Sequence, residues 1–224
     1  ALTYHLLKEA GFKVAVAGNI GNSFAMELAT GIQFDYYVLE ISSFQLDDIA
    51  LFKPHIAVIT NITPDHLDRY NYSIDQYAKA KLRITQNQQA DDYLIYGADS
   101  PELTKHLEQY AIKAQQYPFS LEKAVAGGMY LQNDNIVLPD NSQVSINCLS
   151  LKGKHNLYNA MVAVAVAHFA GIDNVTIESG LTSFEPLEHR LEPVASVNGV
   201  QFINDSKATN IDSTWYALDA MTQP

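Results

Sequence analysis

Short apolar runs alternate with helical patterns along the first half of the chain. The apolar runs occupy residues 14–17, 36–41, 56–60 and 93–96. The second and third runs are continuously apolar, which is typical of parallel strands that are covered on both faces. Helical patterns lie between and after the runs, at residues 22–29, 74–87 and 100–110. This alternation predicts an α/β domain with a mostly parallel sheet flanked by helices.

The pattern changes after residue 126. Two short apolar runs flank Asn133-Asp134-Asn135, which predicts a hairpin and hence a small antiparallel addition to the parallel sheet. A long helix rich in alanine and valine is expected over residues 154–170, ending at Gly171. Two further short strands are expected around residues 194–197 and 200–203. They are joined by Asn198-Gly199, a strong hairpin signal, and a helix over residues 211–220 follows.

The second hairpin suggests a domain boundary near residue 185. We expect residues 1–185 to form one α/β domain and residues 186–224 to open a second α/β domain. The chain begins without methionine inside a helical pattern and stops just after another one. We therefore expect it to be a fragment of a longer protein.

Composition excludes several classes of protein. Of the 224 residues 47% are apolar and 17% are charged, which argues against disorder. Fourteen basic residues against 25 acidic ones give a net charge of −11, which disfavours nucleic acid as a partner. The single cysteine, Cys148, excludes an internal disulfide framework and a cysteine-rich zinc site. The longest apolar run, residues 160–167, is far shorter than the roughly 20 residues that a membrane span needs.

Polar residues follow three of the predicted strands. Gly18-Asn19-Ile20-Gly21 follows the first run, Glu40 lies near the end of the second, and Asp65, His66 and Asp68 follow the third. Ligand sites of open α/β sheets lie at the carboxyl ends of strands. Glu40 is suited to Mg²⁺, and His66 to a metal or a phosphate. The alternatives are an ordinary tight turn, a solvated acid and a capped loop.

Lys81 lies in an apolar stripe. With Ile74, Tyr77 and Ile84 it follows the spacing of one helix face. Partial desolvation lowers the pKa of a lysine and leaves more neutral amine, which can add CO₂ to form a metal-binding carbamate. The alternative, which these residues alone favour, is a lysine whose ammonium group extends into water.

Three polar segments suit a nucleotide or another anion. Lys152-Gly153-Lys154-His155-Asn156, with Asn159, opens the long helix, where an anion or a purine edge is favoured. Glu188-His189-Arg190 follows the predicted boundary, and Asp205-Ser206-Lys207-Ala208-Thr209-Asn210 leads into the last helix. The alternatives are ordinary helix capping, a charged linker and capping by Asn210.

Taken together, these segments resemble the Mur ligases of peptidoglycan synthesis, and most closely the members that add D-glutamate. They follow the family's order over nearly the whole chain, and the run from Asp205 to Asn210 is the most diagnostic. The matching segments are Gly18-Asn19-Ile20-Gly21, Leu39-Glu40-Ile41-Ser42-Ser43-Phe44-Gln45-Leu46, Thr60-Asn61-Ile62-Thr63-Pro64-Asp65-His66-Leu67-Asp68-Arg69-Tyr70, Lys79-Ala80-Lys81-Leu82-Arg83, Gly153-Lys154-His155-Asn156-Leu157-Tyr158-Asn159-Ala160, His189-Arg190 and Asn204-Asp205-Ser206-Lys207-Ala208-Thr209-Asn210.

The resemblance implies a fold and a reaction. The fold is a P-loop ATPase-like central domain, followed by the start of a Rossmann-like C-terminal domain. In the reaction, ATP phosphorylates the carboxylate of UDP-N-acetylmuramoyl-L-alanine to an acyl phosphate, which the amine of D-glutamate attacks. The resemblance further implies an ADP-forming, cytoplasmic, monomeric enzyme of cell wall synthesis, with no membrane span and no nucleic-acid partner.

The resemblance also implies roles for particular residues. Glu40 would bind one Mg²⁺, and His66 with a carbamylated Lys81 a second; these three residues form the expected catalytic set. The muramoyl substrate would contact Asn19, Ser42 and Gln45. ATP would contact Asn156, Asn159, Arg190, Asp205 and Lys207. Lys207 and Thr209 would hold D-glutamate near the phosphates.

One motif of the family is absent from this sequence. The phosphate loop G-x-x-G-K-[ST] does not occur, and Lys152-Gly153-Lys154 does not supply it. We therefore expect these residues alone to be inactive. Two alternatives stay open. One is a sister ligase or a folyl-polyglutamate synthase, against which the Asp205 loop argues. The other is a nucleotide-binding domain without turnover.

Overall fold

The computed structural model describes residues 1–65, 67–147, 149, 153–185, 188–208, 211–219 and 221. These residues form three sheets. Strands β1 (Val14–Gly18) and β2 (Tyr36–Glu40) make a two-stranded parallel sheet. The second sheet has six strands in chain order: β3 (Ile56–Ile59), β4 (Tyr93–Gly97), β5 (Gln115–Ser120), β6 (Met129–Gln132), β7 (Asn135–Val137) and β8 (Gln143–Ser145). The third sheet is the antiparallel hairpin of β9 (Glu192–Val197) and β10 (Val200–Asn204).

Seven α-helices flank or follow these strands in the described part of the chain. They are α1 (Leu2–Glu9), α2 (Phe24–Ala29), α3 (Ile74–Leu82), α4 (Pro101–Leu107), α5 (Lys154–Phe169), α6 (Asn174–Ser183) and α7 (Ile211–Asp219). Within the described residues, none of these helices has the length and apolar character needed to cross a bilayer.

The six-stranded sheet confirms the predicted α/β class. Strands β3 to β6 are parallel, whereas β6, β7 and β8 form an antiparallel addition. Asn133 and Asp134 adopt φ values of 47° and 58°, the left-handed backbone that a tight hairpin turn requires. Asn198 and Gly199 do the same between β9 and β10, with φ values of 52° and 83°. Both predicted hairpins are therefore confirmed.

Helices cover both faces of the parallel sheet, and this explains the continuously apolar strands. Leu94 and Ile95 are neighbours in β4 and both are fully buried, yet they belong to different core clusters. Ile95 lies in the cluster that contains α1, α5 and α6, and Leu94 in the cluster that contains α3 and α4. Because successive side chains point to opposite faces, a strand covered on both sides needs apolar residues at every position.

Two features of this fold differ from the sequence expectations. The helix expected over residues 74–87 ends at Leu82 and continues as a 3₁₀ turn, Arg83–Thr85. The turn leads to Gln88, which is fully buried and donates to the carbonyls of Pro54 and Tyr93. Strand β5 was not expected, because it begins with two exposed glutamines and contains Pro118.

The hairpin of β9 and β10 lies outside the two core clusters. Val194 in β9 is 62% exposed and Phe202 in β10 is 52% exposed. Trp215 in α7 is likewise more than half exposed, although it lines the cleft described below.

Candidate functional site

A polar cleft of about 840 Å³ opens at the carboxyl ends of β3 and β4. The loops after these strands supply residues 60–63 and Asp65, then Asp99 and Ser100, while α3 supplies Tyr77 and Lys81. The start of α5 supplies Lys154, His155, Tyr158 and Asn159. The cleft therefore lies at the sheet edge where open α/β folds bind ligands.

A glycine allows the two strand ends to approach each other at this edge. A Cβ atom on Gly97, the last residue of β4, would lie 2.0 Å from the carbonyl oxygen of Thr60. That separation is far inside van der Waals contact, so any other residue would push the β4 end away from β3. Gly97 therefore keeps the loops that carry Asp65 and Asp99 close together.

Lys81 lies in the cleft and is partly desolvated, as its apolar stripe predicts. Its Nζ atom is 4.9 Å from the centroid of the Tyr77 ring. Burial lowers the pKa of Lys81, and the negative charge of Asp65 opposes this effect without cancelling it. Burial, together with Asp65, raises the pKa of the neighbouring Tyr77 to about 12. Lys81 thus has a larger neutral fraction than an exposed lysine, whereas Tyr77 stays protonated at neutral pH.

Glu40 ends β2 in the separate two-stranded sheet. The Asn19 amide nitrogen Nδ2 donates to Glu40 Oε1 at 3.3 Å, and the Asn19 backbone nitrogen donates to the Glu40 carbonyl at 2.8 Å. Gly18 has φ of +104°, and a Cβ atom on it would lie 2.3 Å from that carbonyl. The predicted pair of Asn19 and Glu40 is therefore brought together, although Glu40 is not among the residues that line the 840 Å³ cleft.

The charges of Arg190 and Asp205 act on the start of α5. Burial lowers the pKa of His155, where the charge of Asp205 opposes the shift and that of Arg190 adds to it. The structure thus brings Arg190 and Asp205 to the beginning of α5, where Asn156 lies and where Asn159 lines the cleft.

The two loops that carry these charges are tied together. Asp205 Oδ1 accepts a hydrogen bond from the Leu191 backbone nitrogen at 3.1 Å. The backbone nitrogen of Lys207 donates to the His189 carbonyl at 3.2 Å, and the Lys207 side chain is exposed. These bonds hold the segment around Arg190 against the segment around Asp205.

Ser42 and Gln45, the other predicted contacts of the muramoyl substrate, lie in a short 3₁₀ turn after β2. The Ser42 backbone nitrogen donates to Gln45 Oε1 at 2.8 Å, and the Gln45 backbone nitrogen donates to the Ser42 carbonyl at 3.0 Å. The Gln45 side-chain oxygen therefore stabilises its own turn. The substrate contacts of both residues stay predictions.

His66, Thr209 and Asn210 lie outside the described residues, so the roles predicted for His66 and Thr209 stay predictions. Within the described part of the chain, no group of three or more histidine, cysteine or acidic residues could hold a metal ion. Asp65 and Lys81 nevertheless line the same cleft. A carbamate on Lys81 would add a second carboxylate beside Asp65. Oxygen donors of this kind are those that Mg²⁺ prefers.

Sequence reasoning missed Asp99. It follows β4 and accepts hydrogen bonds from Ser120, Leu121 and Tyr158. The rule that selected Glu40, a polar residue at the carboxyl end of a buried parallel strand, selects Asp99 as well. Trp215 was also missed, and no sequence signal we used would have placed it at the cleft.

The parallel sheet and the cleft at its strand ends define an open α/β domain with a candidate ligand site at the position typical of that class. A sequence model of the Mur ligase middle domain matches residues 1–167. The chain therefore belongs to the Mur ligase family.

Two relatives are similar over nearly all of the chain. Both are named UDP-N-acetylmuramoylalanine--D-glutamate ligase. The protein from Christiangramia forsetii is 49% identical over 98% of this chain and 50% of its own length. The protein from Bacteroides fragilis is 47% identical over 99% of this chain and 50% of its own length. The chain thus spans about half the length of these relatives.

Solved structures share the fold at low sequence identity. The MurF ligase from Thermotoga maritima in complex with ADP has a TM-score of 0.70 at 19% identity, over 98% of this chain and 52% of its own. The MurF from Acinetobacter baumannii has a TM-score of 0.71 at 19% identity, over 100% of this chain and 51% of its own. These likenesses confirm the predicted fold.

Proposed function

We propose that the chain is part of an ADP-forming ligase that adds D-glutamate to UDP-N-acetylmuramoyl-L-alanine in the cytoplasmic synthesis of peptidoglycan precursors. The observation that carries the proposal is 49% identity, over 98% of the chain, to a protein with that activity in its name. The cleft adds support, because it brings together the partly desolvated Lys81 and the nucleotide-type motif that opens α5.

The proposal includes a domain organisation. Residues 1–185 are the central ATP-binding domain, and residues 186–224 open the C-terminal domain, which binds the amino acid. The exposed apolar side chains of β9 and β10 support this division, because they lie outside both clusters of the central core. ATP, UDP-N-acetylmuramoyl-L-alanine and D-glutamate are the proposed partners, and the proposed assembly state is a monomer.

Charge neutralisation is the main chemical task of such a site. A carboxylate oxygen of the L-alanine moiety attacks the γ-phosphorus of ATP, forming an acyl phosphate and releasing ADP. The amine of D-glutamate then attacks the carbonyl carbon, and the tetrahedral intermediate expels phosphate. Negative charge crowds the transferred phosphoryl group throughout, so positively charged groups stabilise both steps.

The residues of the chain divide this task. Arg190 and Lys207 place positive charge near the phosphates, while Asn156, Asn159 and Asp205 orient the nucleotide. Asn19, Ser42 and Gln45 bind the muramoyl substrate, and Thr209 with Lys207 holds D-glutamate. Glu40 would hold one Mg²⁺, and His66 with a carbamylated Lys81 a second. These ions, when bound, would neutralise charge on the phosphoryl group. The lowered pKa of Lys81 supports its carbamylation, because CO₂ adds to the neutral amine.

An amino-acid panel tests this function. The full-length protein that contains these residues is supplied with ATP, Mg²⁺ and UDP-N-acetylmuramoyl-L-alanine, and phosphate release is followed with D-glutamate, L-glutamate, L-alanine or meso-diaminopimelate. We expect turnover with D-glutamate and less than about 1% of it with the others, since a site built for one substrate rejects analogues that leave its polar groups unsatisfied. Turnover of meso-diaminopimelate when UDP-N-acetylmuramoyl-L-alanyl-D-glutamate replaces the first substrate, without turnover of D-glutamate, would instead assign the protein to a sister ligase.

A further inference from the structure

The carboxylate of Asp99, which lines the cleft, is the centre of a hydrogen-bond network. Its Oδ1 atom accepts from the Ser120 hydroxyl at 2.5 Å. Its Oδ2 atom accepts from the Leu121 backbone nitrogen at 2.8 Å and also from the Tyr158 hydroxyl. Asp99 therefore connects three parts of the structure: the end of β4, the segment after β5 and the first turns of α5.

The directions of these hydrogen bonds favour an ionised carboxylate. The Ser120 oxygen accepts from the backbone nitrogens of Glu122 and Lys123, both at 3.0 Å, so its proton must be donated to Asp99. The Leu121 nitrogen can only donate. Both oxygens of Asp99 thus face donors, and an asparagine would direct a hydrogen atom at one of them. Burial alone would raise the pKa of Asp99, but the bonds from Ser120, Tyr158 and Leu121 lower it below its ordinary value.

The network attaches the start of α5 to the sheet. Gly153, which precedes the helix with φ of +98°, has no side chain to cap it. The first turns of α5 are instead attached to the sheet edge through Tyr158, whose ring also contacts the Phe119 ring at a centroid distance of 5.5 Å. At the first residue of α5, the Lys154 ammonium group donates to Glu122 at 2.8 Å, which attaches the helix to the same segment after β5.

Tyr158 lies between Asn156 and Asn159 on this helix. The backbone of a helix is rigid over one turn. Holding Tyr158 in place therefore also sets the directions in which Asn156 and Asn159 leave the helix. We propose that Asp99 is a positioning residue: by holding Tyr158 and the segment of Ser120, it fixes the α5 surface that contacts the nucleotide. This inference rests on the proposed function, in which Asn156 and Asn159 contact ATP.

The test uses steady-state kinetics of the full-length enzyme with Asp99→Asn, Tyr158→Phe and the double variant. We expect Asp99→Asn to raise the KM for ATP at least tenfold and to leave the KM for D-glutamate within twofold. Tyr158→Phe should raise the KM for ATP about three- to tenfold, because it removes one bond of the network but keeps the ring. The double variant should be no worse than Asp99→Asn alone, since Asp99 acts on α5 through Tyr158 and both substitutions disturb the same bond.

A matched control comes from Asp140, an exposed aspartate in the turn between β7 and β8. Its Oδ1 atom accepts from the Ser142 backbone nitrogen at 2.9 Å, and it does not line the cleft. Asp140→Asn makes the same chemical change and should leave all three KM values within twofold. Asp99→Glu, which keeps the charge but lengthens the side chain, should recover part of the ATP affinity lost in Asp99→Asn.

Two outcomes would overturn the inference. One is an equal rise in the KM values of all three substrates in Asp99→Asn. The other is a lower melting temperature with unchanged KM values, because that is the signature of a purely structural residue. If Asp99→Asn does not fold, Tyr158→Phe decides, and an unchanged KM for ATP in that variant counts against the inference. If the wild-type protein shows no D-glutamate turnover, the proposed function fails, and titration calorimetry with Mg²⁺ and ADP then decides whether Asp99 positions a nucleotide.

Discussion

Lys81 provides the sharpest test of the chemistry proposed for the cleft. Its ammonium group sits over the Tyr77 ring, and burial lowers its pKa. If Lys81 carries a carbamate that would hold Mg²⁺, Lys81→Ala removes a ligand of the ion whose positive charge would stabilise the transition state. Removing one such electrostatic contact typically lowers kcat by about 10² to 10³.

The structural cost of the same substitution is too small to unfold the enzyme. In unmodified, partly desolvated Lys81, the contact of the ammonium group with the Tyr77 ring is worth about 1–2 kcal/mol, and the aliphatic stem of Lys81 adds a comparable amount of packing. An enzyme destabilised by that amount stays folded at 25 °C, because typical stabilities are about 5–15 kcal/mol. A large loss of kcat with a small shift in melting temperature therefore separates the chemical role from a structural one.

The assay follows ATP-dependent phosphate release by the full-length enzyme, with and without added acetate or formate. A small carboxylate that enters the space left by Lys81 should restore part of the activity of Lys81→Ala. Lys79→Ala is the control, because Lys79 lies two residues earlier on α3 and is exposed. Full activity of Lys81→Ala, or a loss of activity equal to that of Lys79→Ala, would refute the carbamate and leave Lys81 as a lysine that only packs against Tyr77.

Three further predictions follow from the other groups. Thr209→Ala should raise the KM for D-glutamate about ten- to a hundredfold, the cost of one hydrogen bond to a charged group, and leave the KM for ATP unchanged. Lys207→Ala should instead lower kcat. A rise in the KM for ATP alone in Thr209→Ala would place Thr209 at the nucleotide. The 224-residue chain alone should show no turnover in the phosphate-release assay, because the sequence lacks the phosphate-loop lysine; activity near that of the full-length enzyme would contradict this. Asp92, which is 1% exposed and binds Lys53 and His55 at 3.0 Å each, has a pKa held below its ordinary value. The ionised Asp92 therefore stabilises the fold above the ordinary pKa of an aspartate, and this effect is lost as the pH falls through the folded-state pKa. In urea titrations, Asp92→Asn should lower the free energy of unfolding by about 2 kcal/mol at pH 7 and by less at about pH 3.

Local chemistry explains which parts of the fold could be predicted. The apolar runs of β2, β3 and β4 and the glycine turn of the β9–β10 hairpin depend on neighbouring residues, so their patterns were sufficient. Strand β5 could not be predicted, because its exposed glutamines pair with β4 only once the sheet is assembled. The early end of α3 likewise precedes the burial of Gln88, which donates to the nearby Tyr93 carbonyl and to the distant Pro54 carbonyl.

In the site, too, residues with a local sequence signal could be predicted, and contacts between distant segments could not. Glu40, Asp65 and Lys81 were recognisable, because each carries a local signal: a strand end, or a polar residue in an apolar stripe. The proximity of Asp205 to His155 joins segments 50 residues apart and depends on how the loop around Arg190 is held. The Asp99 network also needs three separate segments, and only the assembled sheet brings them together.

The most direct test of the proposed reaction follows an oxygen atom from the substrate carboxylate. UDP-N-acetylmuramoyl-L-alanine labelled with ¹⁸O in both carboxylate oxygens is incubated with ATP, Mg²⁺, D-glutamate and the full-length enzyme, and the released phosphate is analysed by mass spectrometry. Formation and aminolysis of an acyl phosphate transfer one labelled oxygen to each phosphate, and this transfer should require D-glutamate. Unlabelled phosphate, or labelled phosphate that forms only with a different amino acid, would contradict the assignment.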